Sequence, residues 1–297
     1  MTVPARLRGR ILIEPLAAAV LWGGVFTAVK LALVDIPVLS LTAGRIVLAV
    51  LLLFAVSGGV GWLGQGRELW RPLISAGLAQ TTFQVLVMQG LSRTTASISA
   101  ILLASAPLIT AGWLAATRRE RLTARQWGGL VLGIGGVAVL MGPDGSDWAG
   151  SLGGNVVALG SAVAWAWYSL AIGPLARAVG PVRATAGTLA VAALVLAPFG
   201  AVEGSTVSWS GVSAVAWAGL LYGAVLGLAL ATILWVRSIQ RWGTQATMNY
   251  GYVEPVAAVL IAALVLGETL RPVQGLGAAM ALLGVYLASR VTTDEHR

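Results

Sequence analysis

Three ionisable side chains, Lys30, Arg45 and Glu254, interrupt runs of otherwise apolar sequence. Four amides accompany them at helical spacing: Gln80 and Gln84 one turn apart, then Gln245 and Asn249 one turn apart, with Tyr252 continuing the second stripe. Trp22, Trp165, Trp167 and Tyr168 add rings within similar runs. This is not the equipment of bond-making, because HExxH, GxSxG, Walker A and paired membrane aspartates are all absent, so no catalytic residue is assigned. It is the equipment of recognition. Amides hydrogen-bond a carboxylate or an ammonium while rings pack an apolar side chain, a combination suited to a mid-sized zwitterion and open to many drug-like molecules.

The elements that must hold these groups follow from composition. A chain of 297 residues that is 58% hydrophobic and only 10% charged cannot hide its apolar surface in a water-soluble core, since soluble domains carry about a quarter charged residues. Its solvent is lipid. No water in the bilayer core satisfies backbone N–H and C=O groups, so only helices or closed barrels span it, and uninterrupted runs of about 20 apolar residues have helix length. With polar punctuation taken as loops, ten transmembrane helices are expected at 14–34, 38–57, 72–91, 94–116, 124–141, 152–172, 182–200, 211–236, 243–266 and 272–290. No cysteine is present, which excludes disulfides and thiolate metal sites, and His296 belongs to a solvated tail; neither metal nor cofactor is expected. The net charge of +8 would suggest nucleic acid in a soluble protein, but here its distribution relative to the bilayer matters instead.

Placing the N-terminus in the cytoplasm puts Arg6, Arg8, Arg10, Arg67, Arg71, Arg118, Arg119, Arg121, Arg125, Arg177, Arg183, Arg237, Arg241, Arg290 and Arg297 inside and only Arg93 and Arg271 outside. Fifteen against two is a strong positive-inside bias, with both termini cytoplasmic. One missed helix would scramble it. An Arg-rich start before an apolar run also fits a signal peptide, but the run continues past Lys30 and has a counterpart later in the chain.

That counterpart is systematic. Pro107, Glu120, Leu122, Gln126 and Gly136 stand 148 residues before Pro255, Glu268, Leu270, Gln274 and Gly284, while Trp22 and Thr42-Ala43-Gly44 stand 143 residues before Trp165 and Thr185-Ala186-Gly187. Two repeats, 1–143 and 151–297, flank an acidic, Gly-rich linker at 144–150. Five helices per repeat is an odd number, so the second copy must enter the membrane from the opposite side. Inverted repeats of this kind recur in secondary transporters, with the substrate at the repeat interface near the midplane.

Residue by residue, the alternatives stay open. Lys30 is close enough to Asp35 at a helix end for its stem to snorkel, or it attracts substrate. Arg45 lies about 10 Å inside the second helix and serves interhelical pairing or ligand contact. Glu254 falls near mid-membrane before a proline and either satisfies a freed carbonyl or takes part in coupling. Pro107 and Pro255 sit at equivalent depths in helices four and nine, where kinks would suit gating. Many of the 12 tryptophans, Trp62, Trp70, Trp148, Trp209 and Trp242, are near expected helix ends and read as an interfacial belt, whereas Trp22, Trp165 and Trp235 are deeper. The glycines of helices five and ten allow backbones to approach closely, and monomer and homodimer both stay open.

Glu254-Pro255, the Gly267-Glu268-x-Leu270 end followed by Gln274, Trp22-Gly23 and Arg45-Ile46 resemble the ten-helix, EamA-type branch of the drug/metabolite transporter superfamily. The resemblance covers both halves and implies a bacterial inner-membrane exporter of amino acids, aromatic ones included, or of other metabolites and drugs. It further implies alternating access around a cavity lined by helices three, four, eight and nine, with small molecules and lipid as the partners. Ala106 departs from the pattern where a second glutamate would stand before proline. A membrane sensor or scaffold that binds without transporting is the competing class, and the absence of a sizeable soluble loop argues against it.

Overall fold

A computed structural model describes residues 12–64, 66–91, 102–119, 122–141, 152–266 and 271–289. Glu120, Arg93, Gly267, Glu268, Leu270, His296, the 144–150 linker and the terminal arginines lie outside the described residues. The described residues form ten main helices and no strand: α1 (Ile13–Ala32), α2 (Val38–Ser57), α3 (Trp70–Leu91), α4 (Ala106–Ala116), α5 (Ala124–Met141), α6 (Leu152–Val179), α7 (Pro181–Gly204), α8 (Ala214–Trp242), α9 (Thr244–Met248 running on through Val253–Leu266) and α10 (Pro272–Ser289). Six of them, α1, α2, α6, α7, α8 and α9, are long and apolar enough to cross a membrane unaided by neighbours. α3 is as long but carries Arg71, Gln80 and Gln84, and α4, α5 and α10 are shorter apolar helices within the described residues.

Helix boundaries follow local chemistry. α6 gives way to α7 at Gly180, whose φ of +83° is cheap only for glycine, and Pro181 then opens α7 where its missing N–H costs nothing. Ser213 caps α8 by accepting from the Ala216 N–H. Before Pro255 the ladder of α9 tightens into a 3₁₀ turn over Asn249–Tyr252, and α4 begins at Ala106 beside Pro107 after a turn at 104–105. The two prolines therefore stand at matching breaks rather than inside continuous helix.

Packing shows that the halves are inverted. Gly129 meets Gly284 and Ala288, and Gly136 meets Gly277 and Ala281, so α5 and α10 run antiparallel. Equivalent helices α2 and α7 are antiparallel too: Ser40 at the start of α2 bonds Glu203 at the end of α7, while Gly187 near the start of α7 faces Trp62 beyond the end of α2. Contacts between the halves come in symmetric mates, α1 on α8 with α6 on α3, α1 on α9 with α6 on α4, and α2 on α8 with α7 on α3. The fold is an all-α integral membrane protein of two inverted five-helix repeats.

Two pairs of mates within the halves differ. α8 packs along α6 and α7, whereas among the described residues α3 makes no packing of like extent with α1 or α2. Trp62, expected in the interfacial belt, is buried against α7 at 3% exposure because Gly187 leaves it room.

Candidate functional site

Five rings from four helices, drawn from both halves, converge where the repeats meet. Trp22 of α1 meets Trp165 of α6 edge-on at 5.3 Å and Trp235 of α8 at 5.1 Å. Trp165 in turn contacts Phe83 of α3 at 4.9 Å, Tyr168 at 5.2 Å and Trp235 at 5.8 Å. Such pairs contribute roughly 0.5–1.5 kcal/mol each beyond the area they bury. Trp22 and Trp165 remain only half-buried, so their faces are not consumed by packing.

The position of Trp22 depends on a local departure from α-helix. Over Tyr222–Ala231 the backbone of α8 is π-helical, a wide spiral that is rare at such length and that skips a carbonyl where it returns to α spacing. The Trp22 indole N–H donates to the Gly227 carbonyl at 3.0 Å, and the Tyr222 hydroxyl donates back to the Leu21 carbonyl at 3.2 Å. These two bonds rivet α1 to α8. At one end the rivet continues through Glu14, which accepts from Arg241 at 2.6 Å and from the Trp242 indole at 3.2 Å. At the other end Asp35 accepts from the Ser213 backbone N–H and hydroxyl, bonds that hold its carboxyl below the usual carboxylate range, the hydroxyl contributing most.

The amides lie on α3 and α9. Gln245 Nε2 donates to Asn249 Oδ1 at 2.9 Å and reaches the Pro107 carbonyl at 3.4 Å, so α9 is tied to α4 across the repeat boundary. Since a carbonyl only accepts, this bond fixes which end of the Gln245 amide is the oxygen. Among the described residues that oxygen is buried without a partner, as is Gln80 Oε1 on α3. An unsatisfied buried acceptor costs on the order of 1–3 kcal/mol, which a ligand N–H would recover. Gln84 is also buried, one turn from Gln80.

Several expectations shift. Tyr252 does not extend the Gln245–Asn249 stripe: its hydroxyl donates to the Leu130 carbonyl at 3.0 Å and its ring lies over Gly133, because the 3₁₀ turn rotates it toward α5. Trp167, two positions from Trp165, faces away and donates to Ser75 Oγ at 3.1 Å. Lys30 is exposed in the last turn of α1. Arg45 is 6% exposed and makes no interhelical pair among the described residues. Glu254 is half-buried, one turn before Ala257, the residue against which Gly23 of α1 packs. Pro107 joins the site through its carbonyl; Pro255 is buried in α9. Phe83 and Trp235 were not among the expected binding residues. Phe83 shares a face with Gln80 by its i+3 spacing, which could have revealed it.

One end of this site is shut. Gln240 Nε2 donates to the Ala176 carbonyl at 3.0 Å, Thr244 Oγ1 to the Ser169 carbonyl at 3.4 Å, and Trp235 Nε1 lies 3.5 Å from Ser169 Oγ. These are contacts of α8 and α9 with α6; the first-repeat positions equivalent to Gln240 and Thr244, 92 and 96, lie outside the described residues. No group of three or more His, Cys, Asp or Glu residues that could hold a metal occurs among the described residues. An apolar crevice of about 290 Å³ lined in part by Leu140, Val256, Leu260 and Ala278 lies apart from the rings, in the seam of α5, α9 and α10.

Inverted helical repeats enclosing a shared ring-and-amide site define a membrane transporter architecture. Residues 7–142 and 152–290 each match the EamA-like transporter family, and the chain belongs to that family. It is 28% identical to an uncharacterized transporter, sll0355, of Synechocystis sp., over 91% of this chain and 87% of that one. It is 27% identical to the uncharacterized inner membrane transporter YedA of Escherichia coli, over 92% of this chain and 88% of YedA, and 24% identical to a probable terminal-alkyne amino-acid exporter of Streptantibioticus cattleyicolor, over 94% and 93%. A crystal structure that aligns with a TM-score of 0.77 at 18% identity, over 93% of this chain and 95% of the other, has the same fold.

Proposed function

We propose that this transporter is a secondary exporter of amino acids with aromatic or other apolar side chains, working by alternating access in the bacterial inner membrane with both termini cytoplasmic. The observation that carries the reading is that helices meeting at the repeat interface carry half-buried indoles and buried amide oxygens without a partner among the described residues. Rings suit an apolar side chain, and the oxygens of Gln80 and Gln245 suit an α-ammonium. The arginine bias supports the orientation, and the similarity to a probable amino-acid exporter supports the substrate class. With the termini inside, the shut end is cytoplasmic. Glu254, lacking an acidic counterpart at Ala106, is the candidate for coupling, and the breaks beside Pro107 and Pro255 are the candidate hinges.

Counterflow in proteoliposomes tests this. Preloaded protein-containing vesicles should accumulate labelled phenylalanine or a similar amino acid well above protein-free vesicles, and a panel including toxic dyes should be taken up less well. Flux of dyes alone would favour a multidrug exporter of the same fold; no flux of any solute would favour a sensor or scaffold.

A further inference from the structure

Arg45 is a guanidinium inside a membrane protein with no balancing charge among the described residues. It is 6% exposed, its Nε is sealed without a hydrogen-bond partner, and it forms no ion pair among the described residues. α2 packs on α7 and α8, and across these three helices the only acidic residue is Glu203, which is engaged by Ser40 at the far start of α2. Asp35, in the turn before α2, is engaged by Ser213. An arginine at membrane depth is unfavourable, and an uncompensated one has no ion pair to offset that. The repeat shows that the fold itself does not require the charge, since 143 positions on the equivalent of Arg45 is Thr188.

The side chain also has a prepared course. A Cβ at Gly223 would fall 2.5 Å from Arg45 Cδ and 3.2 Å from Nη1, so the arginine crosses bare backbone in the π-helical stretch of α8. Four residues further on, about one turn, Gly227 accepts the Trp22 indole that anchors the ring cluster. Arg45 and the indole that anchors the rings thus meet the same helix four residues apart.

We propose that Arg45 is a ligand-recognition residue that takes the carboxylate of the substrate, whose apolar part lies on Trp22, Trp165 and Trp235. The assignment rests on the transporter reading but not on amino acids being the cargo. A guanidinium binds a carboxylate through paired N–H donors, and that geometry is not reproduced by a neutral amide.

Calorimetric titration of the purified full-length protein with phenylacetate and phenylacetamide tests the assignment. Wild type should bind the carboxylate at least about tenfold more tightly than the amide, a difference of about 1.4 kcal/mol. Arg45→Gln should weaken phenylacetate alone and erase the preference, and Arg45→Lys should retain part of it. Gly223→Ala, whose added methyl would displace the guanidinium without removing it, should act in the same direction and serves if Arg45→Gln fails to fold. A wild type without preference, a variant that keeps it, or an equal loss for both ligands would overturn the assignment, the last by showing a structural role. Carboxylate preference combined with no amino-acid counterflow would leave Arg45 assigned and discard the amino-acid cargo instead.

Discussion

The α5–α10 seam and the interface among α1, α3, α6 and α8 both join the two repeats, yet they are built from opposite materials. In the seam, Gly129, Gly133, Gly136, Gly277 and Gly284 bring backbone against backbone, and no functional side chain is interposed except Tyr252, which is bonded into α5. At the other interface, large rings and amides meet with faces and acceptors left over. Backbone-close contact with small residues is what helices use to hold together in lipid, where no hydrophobic force drives them. Leftover polar capacity in a buried place is unfavourable unless something occupies it. The difference assigns the seam to holding and the ring cluster to binding.

Substitution in the seam should have the largest effect. At Gly277 a side chain would land on the Leu140 backbone, which cannot rotate away as a side chain would. Gly277→Leu should therefore destabilise by about 3 kcal/mol or more, lowering the thermal midpoint on the order of 10 °C and reducing membrane abundance. A normal midpoint would mean that the seam is looser than described.

Next come the rings and amides, where activity and stability should part company. Trp165→Ala removes four ring contacts from a half-buried position and Asn249→Ala removes the acceptor for Gln245. Both should cut counterflow by about tenfold or more, since a lost aromatic or polar anchor in a binding site is worth about 1–3 kcal/mol, while protein abundance stays near wild type. Loss of folded protein in step with activity would return both residues to structure.

The smallest effect belongs to the rim. Asp35 has its carboxyl held below the ordinary value near 4 by Ser213, so its tie to α8 is present at neutral pH, persists above the unfolded pKa, and is lost only as pH falls through the lowered folded value. Asp35→Asn should speed hydrogen exchange of the Ser213 and Ala216 amides at neutral pH without altering ligand binding. Unchanged exchange would show that the α1–α2 turn does not depend on the tie.

The architecture was legible in the sequence because lipid leaves few options: apolar runs must be helices, and an odd number per repeat must invert. Within the site, Trp22, Trp165, Gln80, Gln84, Gln245 and Asn249 could be singled out because an amide or indole in hydrocarbon needs a neighbour. What was not legible depends on the exact winding of the backbone. The 3₁₀ turn that swings Tyr252 to α5 and the π-helix that receives Trp22 leave no mark in NYGY or YGAVLGLALA, where neither proline nor a charge announces them. Trp235 became part of the cluster through the broken symmetry of α8 against α6, which no repeat offset can reveal.

Because the chain contains no cysteine, an introduced pair is unique, and the shut end can be locked without background. Gln240→Cys combined with Ala176→Cys puts one thiol on either side of the contact between the Gln240 amide and the Ala176 carbonyl, for bridging by a bifunctional methanethiosulfonate. If α8 must part from α6 there for solute to pass, the cross-link abolishes counterflow and its reductive cleavage restores it. Full-rate counterflow by the fully cross-linked protein would contradict the account.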